Sequence, residues 1–251
     1  MERITSRTNP LMAHLRKLWS SHSYRAKTGE YLGDGGKLLE EALRWGAELK
    51  TVVCTPDFAL PALPEGVRTV EVPEELMAYI SPMEAPQGVL FLARQPDLRL
   101  PEKLTGNRYL ALEGVQDPGN VGTILRTADA FGADGLLLLE GCADLYNPKT
   151  VRASMGAVFR TPPQRAAHAA VAEACRARGI PLVVTALTDS AVDLCSLELS
   201  KAAVVIGSEG RGVGRFFLEQ ADQTAIIPMN PRCESLNAAV AATVVLWQMR
   251  R

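Results

Sequence analysis

The chain has 251 residues, enough for one large or two modest domains that each bury a core. Its composition, 47% hydrophobic and 22% charged, is ordinary for a soluble protein. Its net charge of −1 gives no indication of nucleic-acid binding. No apolar run approaches the roughly 20 residues that span a bilayer, and residues 1–7 lack the apolar core of a signal peptide. We therefore predict a cytoplasmic protein without membrane contact.

The cysteines and histidines do not suggest a metal site. The five cysteines are scattered, and none forms a C-x-x-C pair or has a histidine nearby. Reduced thiols of a cytosolic protein are the default interpretation. His14, His22 and His168 are too widely separated to predict a shared metal site or a catalytic triad. We expect no metal.

Positive charge is concentrated at the N-terminus. Residues 1–28 contain six arginines and lysines against the single acid Glu2, a local balance of +5. A positively charged N-terminal segment on an otherwise neutral protein can bind phosphates, but a solvent-exposed helix face explains the excess of positive charge equally well. The RNA-binding candidates from this stretch are Arg7, Arg16, Lys17, Arg25 and Lys27.

Hydrophobic spacing predicts a small α/β unit in the first 95 residues. Pro10 and three leucines at helical spacing predict a helix at 10–20. The other predicted elements are helices at 35–46 and 74–80 and strands at 50–54, 67–72 and 88–93. The polar, proline-containing stretch that follows suits a linker, which we place at 96–106.

From Arg108 onward, apolar strands alternate with helices, which predicts a buried parallel sheet. The predicted strands are 109–112, 135–139, 181–186, 202–206 and 224–227, with helices near 121–131, 148–158 and 164–178. The last helix, 236–250, is apolar nearly all round, which favours packing partly against a second subunit.

Three segments in this half carry polar residues where chemistry is expected. In the first, a turn at Asp117-Pro-Gly119 leads to Asn120 as the expected N-cap, and Arg126 lies opposite the core-facing side of the helix. Arg126 could equally well pair with Asp129 in solvent. The functional interpretation places Asn120 and Arg126 at the carboxyl end of the sheet, the usual ligand edge of α/β folds.

The second segment, 204–213, is a strand that runs into a glycine-rich turn carrying Glu209. By itself it fits a generic turn better than a binding loop. The third, 226–237, enters the final helix, where the amide of Asn237 should need a specific partner. Alternatively, Ser235 or Asn237 simply caps the helix.

Taken together, in this order and spacing, the three segments resemble the motifs of the SpoU/TrmH branch of the SPOUT RNA methyltransferases. The N-terminal stretch from Ile4 through Ala42 resembles the small RNA-binding domain, similar to ribosomal protein L30e, that precedes many SpoU domains. Val151-Arg-Ala-Ser-Met-Gly156 fits the family's helix between the first two motifs. The resemblance implies an L30e-like α/β domain at 1–95 and a SPOUT α/β domain at 107–251 with a deep trefoil knot.

The resemblance also implies the site. Its catalytic residues would be Asn120, Arg126, Glu209, Ser235 and Asn237. S-adenosylmethionine would lie bent among three loops, against Thr185, Ala186, Leu187, Gly207, Ile227, Met229 and Leu236. Arg152 joins the RNA-binding candidates. The family proposal that Arg126 is the base conflicts with an arginine pKa above about 12, so we expect Arg126 to bind the phosphate beside the target ribose.

The implied activity is methyl transfer to a ribose 2′-hydroxyl of structured RNA by a homodimer. Ribosomal RNA is favoured over transfer RNA because the N-terminal domain accompanies ribosomal targets more often in relatives. A non-catalytic RNA- or ribosome-binding module is the alternative, and a Rossmann dehydrogenase is disfavoured by the missing early G-x-G-x-x-G. Two stretches, 33–36 and 231–234, depart from the family pattern and leave the RNA-domain loop and the cofactor loop open.

Overall fold

The computed structural model describes residues 1–81, 83–188, 190–230, 232–233 and 235–250. The first elements are β1 (Glu2–Arg3), α1 (Pro10–Ser20), α2 (His22–Thr28), β2 (Glu30–Asp34), α3 (Gly36–Arg44), β3 (Leu49–Cys54), β4 (Arg68–Glu71), α4 (Glu74–Ile80) and β5 (Val89–Arg94). They are followed by β6 (Arg108–Leu112), α5 (Pro118–Phe131), β7 (Gly135–Leu138), α6 (Pro148–Ala153), α7 (Ala157–Arg160), β8 (Gln164–Arg165), α8 (His168–Arg178), β9 (Leu182–Thr185), β10 (Val192–Asp193), β11 (Ala202–Ile206), α9 (Arg215–Gln220), β12 (Gln223–Ile226) and α10 (Ala238–Arg250).

The chain forms two compact units that do not follow a single boundary in the sequence. The first contains Met1–Asp97 together with Asp144–Arg160. The second contains Leu98–Ala143 and the residues from Thr161 onward. Residues 144–160 therefore pack with the first unit, although they lie in the middle of the predicted 107–251 domain.

The first unit has a mixed sheet with strand order β1-β4-β3-β5-β2. The predicted helix at 10–20 is confirmed, because Asn9 caps its N-terminus and Pro10 opens it. The apolar stripe of α1 supplies much of the core, with Leu11, Met12, Leu15 and Leu18 buried. The sequence predicts this helix because these apolar residues recur at helical spacing and face the same side.

Arg25 is buried inside this unit, which corrects its prediction as an RNA-binding residue. Its side chain is only 3% exposed. Both Nε and Nη2 lie 2.7 Å from Oδ2 of Asp144, and Nη1 donates to the carbonyl of Leu18 at 2.5 Å. Tyr146 stacks on Tyr31 with ring centroids 4.4 Å apart. Arg25 is thus a structural residue that holds residues 144–160 in the first unit.

The second unit contains the predicted parallel sheet. Its strand order is β10-β12-β9-β11-β6-β7-β8, and each neighbouring pair is parallel. The central strand β11 is buried along its whole length, as expected for a strand covered on both faces. The trefoil knot stays a prediction. No helix within the described residues is long and apolar enough to cross a membrane.

The sequence patterns missed several elements for local reasons. In β2, Gly33 lies under the ring of Phe91, where a Cβ would come within 2.0 Å of a ring carbon. A glycine-containing strand has a weak sequence signal. The predicted helix at 148–158 is broken instead, because Met155 has φ 48° and Gly156 has φ 88°. The short α2 and α9 were also not predicted.

Candidate functional site

A pocket of about 560 Å³ lies at the carboxyl ends of β9, β11 and β12 in the second unit. Its walls are the chain segments that follow these three strands and the residues that lead into α10. The structure brings all of the predicted cofactor residues to this pocket: Thr185, Ala186, Leu187, Gly207, Ile227, Met229 and Leu236. In the stretch 231–234, which departs from the family pattern, residues 231 and 234 lie outside the described residues.

A second cavity, of about 610 Å³, lies at the other end of the same sheet, beside Leu182 and Asp222. There the Asp222 carboxylate accepts a hydrogen bond from the amide of Leu182 at 2.7 Å. The Arg176 guanidinium donates to Oε1 of Gln220 at 2.9 Å. These polar groups already hold the fold together, and none of the motif residues is among them.

The glycine-rich turn has a defined shape. Ser208 and Gly212 exchange two backbone hydrogen bonds, of 3.1 and 2.9 Å. A Cβ on Gly207 would lie 2.1 Å from the carbonyl carbon of Gly212, inside the loop itself. Gly207 is therefore required for the loop to fold back on its own backbone.

Glu113 fixes the other end of this turn, a role that the sequence did not predict. One carboxylate oxygen accepts a hydrogen bond from the amide of Gly214 at 2.7 Å, and the other lies 2.8 Å from Nε2 of His168. The His168 ring also packs against Phe217, with centroids 5.2 Å apart. The available signal was the position of Glu113, directly after a buried strand at the ligand edge of the sheet.

Asn120 is not the N-cap of α5, contrary to the prediction. Asp117 takes that position, and its carboxylate accepts the hydrogen bond from the amide of Asn120 at 2.8 Å. The side chain of Asn120 is therefore available for other contacts. Its Nδ2 donates to Oε1 of Glu209 at 2.5 Å, and its Oδ1 accepts from Nδ2 of Asn237 at 3.1 Å. Three of the five predicted catalytic residues thus form one hydrogen-bonded network.

Asn237 satisfies both of its sequence interpretations at once. Its Oδ1 accepts hydrogen bonds from the amides of Ala239 and Val240, at 2.9 and 3.3 Å, and so caps α10. Its Nδ2 is left for Asn120. Because the cap fixes the rotamer, the amide that reaches Asn120 is oriented before any ligand binds. Ser235 is exposed and lines the same pocket.

Arg126 is not part of this network. It is exposed on α5. Within the described parts of the chain it makes no hydrogen bond or ion pair, and none with Asp129. An exposed guanidinium without a carboxylate partner can bind an external anion. The structure therefore leaves Arg126 open to a ligand.

The remaining basic candidates lie in the first unit. Arg7, Lys17, Lys27 and Arg152 are exposed, and Arg16 is half-buried. Arg152 donates from Nη1 to the sulfur of Met83 at 2.7 Å. Across the described ranges, no group of three or more His, Cys, Asp and Glu side chains is arranged to hold a metal ion.

Two family models match successive parts of the chain. Residues 107–247 match the SpoU rRNA Methylase family, and residues 9–91 match the MRM3-like substrate binding domain. The chain is 32% identical over 251 residues to the 23S rRNA (guanosine(2553)-2′-O)-methyltransferase RlmP of Bacillus subtilis, covering 100% of both chains. It is also 32% identical over 264 residues to the 23S rRNA (uridine(2479)-2′-O)-methyltransferase of Streptomyces viridochromogenes, covering 99% of this chain and 92% of that one.

Among solved structures, the chain is similar to an AdoMet-bound rRNA methyltransferase from Sinorhizobium meliloti. The TM-score is 0.88 at 33% sequence identity, over 99% of this chain and 97% of that chain. The similarity therefore spans both compact units and includes the strands that carry the pocket.

Proposed function

We propose that this chain, which belongs to the SpoU rRNA methylase family, transfers a methyl group from S-adenosylmethionine to a ribose 2′-hydroxyl of ribosomal RNA. The observation that carries this proposal is the Asn120–Glu209–Asn237 network beside the pocket. Both curated relatives are named as 2′-O-methyltransferases of 23S rRNA, and the structural relative is described as AdoMet-bound.

The pocket fits a nucleoside-sized co-substrate. Its volume of about 560 Å³ falls within the roughly 300–1,000 Å³ that is usual for small-molecule sites. Ala186, Ile227 and Leu236 provide apolar surface for an adenine ring, while the backbone of the glycine-rich turn provides amide donors and carbonyl acceptors. The hydroxyl of Thr185 donates to the carbonyl of Val205 at 2.9 Å, so it holds β9 to β11 rather than donating to a ligand.

S-adenosylmethionine, when bound, supplies a methyl group on a sulfonium that is already a strong leaving group. The protein therefore needs to orient the ribose hydroxyl more than it needs to activate it strongly. Arg126 binds the phosphate next to the target ribose. Asn120 and Asn237 place their amides at fixed positions near the pocket. Glu209, held by Asn120, presents an exposed carboxylate there that passes the proton lost by the hydroxyl to water as the methyl group is transferred.

The first experiment separates chemistry from cofactor binding. Arg126→Ala and Asn120→Ala should each reduce methyl transfer to ribosomal RNA at least about a hundredfold, because misplacing the reacting hydroxyl by an ångström costs about that much. Calorimetry should find nearly unchanged affinity for S-adenosylmethionine in both. Thr123→Ala, an exposed change on the same helix, is the control and should retain activity.

The second experiment identifies the target. The two relatives modify a guanosine and a uridine at different positions, so similarity does not determine which nucleotide this protein uses. Ribose-methylation mapping of total RNA from cells with and without the protein should show one lost 2′-O-methyl site in ribosomal RNA. A lost methyl on a base atom, or no lost site and no activity on any RNA in vitro, would instead favour a non-catalytic binding module.

The protein acts as a homodimer in the cytoplasm. Support for the dimer comes from α10, whose Val240 and Trp247 are half-exposed on one face at positions that a soluble monomer normally makes polar. A two-fold contact through this face would cover the apolar surface and place the residues around Asn237 beside the interface.

A further inference from the structure

The structure sorts the basic N-terminal residues into neutralised and uncompensated ones. Arg3 lies 3.5 Å from the Glu71 carboxylate, and Arg25 is buried against Asp144. In contrast, Arg7 and Arg16 form no ion pair within the described residues. Their charges are therefore not balanced by the protein itself.

Arg7 and Arg16 converge on one tyrosine. The guanidinium carbon of Arg7 is 5.0 Å from the centroid of the Tyr79 ring, and that of Arg16 is 4.3 Å from the same centroid. The three residues come from separate segments: the turn before α1, α1 itself and the last turn of α4. Tyr79 packs on the hydrophobic core of the first unit, so the ring gives both flexible side chains a fixed position.

The two guanidinium charges repel each other in the free protein, and a bound anion would relieve this repulsion. Glu74 and Glu75 begin the same helix, but in the described structure neither forms a salt bridge with these arginines. The fork-shaped guanidinium matches the oxygens of a phosphate. The cluster therefore has the charge and the donors for a phosphodiester.

We propose that Arg7, Arg16 and Tyr79 form a binding site for the phosphodiester backbone of the RNA substrate, with Tyr79 as the positioning residue for both guanidinium groups. The inference rests on the proposed function in taking RNA as the ligand. It adds a residue, Tyr79, that neither charge nor motif pointed to, and it assigns the two arginines a shared site.

The test measures binding of a fluorescein-labelled single-stranded oligouridylate of twelve nucleotides by anisotropy over a range of salt concentrations. Arg7→Gln and Arg16→Gln should each lower the slope of log affinity against log salt by about 0.7, the loss of one phosphate contact on a single strand. Tyr79→Ala should weaken binding about tenfold at low salt, whereas Tyr79→Phe, which keeps the ring, should bind like the wild type.

Arg3→Gln is the matched control, because it removes an equal charge that Glu71 already compensates, and its salt slope should change little. Unchanged slopes in both arginine variants, or equal binding by Tyr79→Ala and wild type, would overturn the site, as would a wild-type protein that does not bind the oligonucleotide at low salt. Methyl transfer to ribosomal RNA is measured in parallel. If the wild type methylates while the arginine variants bind normally, this site is wrong and the proposed function stands.

Discussion

At the scale of single residues, Gly207 and Gly210 occupy the same turn with different constraints. A Cβ on Gly207 would collide with the backbone of Gly212 and Val213, whereas a Cβ on Gly210 would meet nothing within 4 Å. Gly207→Ala should therefore displace the turn and weaken S-adenosylmethionine binding by at least about tenfold, and Gly210→Ala should bind nearly as wild type. Isothermal titration calorimetry measures both. Equal affinities for the two variants would show that the turn tolerates displacement.

The buried thiol of Cys175 should make the free energy of unfolding depend on pH. Burial, and to a smaller extent the nearby Asp222 carboxylate, raises the pKa of this thiol from its ordinary 9.0 to about 11. Between these values the unfolded chain loses the proton and the folded protein keeps it. The free energy of unfolding should therefore fall as pH rises from about 9 to about 11, by at most about 1.4 kcal/mol per pH unit from this group.

Denaturant unfolding of wild type and Cys175→Ala across this pH range isolates the contribution of the thiol. The wild type should lose more stability than the variant above pH 9. Parallel pH profiles of the two proteins would mean that the thiol ionises as easily in the folded state as in the unfolded chain. The exposed Cys195 and Cys233 should react with a thiol reagent well before Cys175 does.

At the level of secondary-structure elements, residues 144–160 pack with the first unit although the residues on both sides of them belong to the second. The buried contact between Arg25 and Asp144 anchors them, and a second ion pair joins Arg160 to Glu41. Removing one member of a buried pair leaves an uncompensated charge and typically costs about 3–5 kcal/mol. Arg25→Met should therefore lower the free energy of unfolding by about that amount.

Chemical denaturation followed by circular dichroism measures the effect. Adding Asp144→Asn to Arg25→Met should restore part of the loss, because the orphaned charge is removed. Arg68→Met breaks an exposed pair with Glu2 and should cost less than about 1 kcal/mol. If Arg25→Met and Arg68→Met cost the same, the Arg25 contact does not anchor the segment.

At the scale of the whole molecule, oligomerisation through α10 is the main prediction. Trp247 is 50% exposed and packs edge-on against Phe131, while Trp45, in the first unit, is 48% exposed. Trp247→Lys should shift the protein from dimer to monomer, because a charge would be buried in an apolar interface. Trp45→Lys should leave the dimer intact. Sedimentation equilibrium at micromolar concentration distinguishes these outcomes, and a monomeric wild type would end the proposal.

Helices and strands with a local signal are predictable from the sequence. Apolar residues repeat at helical spacing in α1, and unbroken apolar runs predict β6 and β11, because period and burial are properties of neighbouring residues. The order and spacing of the three motifs indicated the family, which the comparisons confirm. The catalytic and cofactor roles, the knot and the domain boundaries stay predictions.

The contacts between distant polar side chains become visible only in the folded chain. Asn120 contacts Glu209 and Asn237, which lie 89 and 117 residues away along the chain. Packing also buries Arg25 and leaves Arg126 exposed, although both arginines lie in helices. Local sequence encodes the period of an element, whereas the partner of a polar side chain depends on how distant elements pack together.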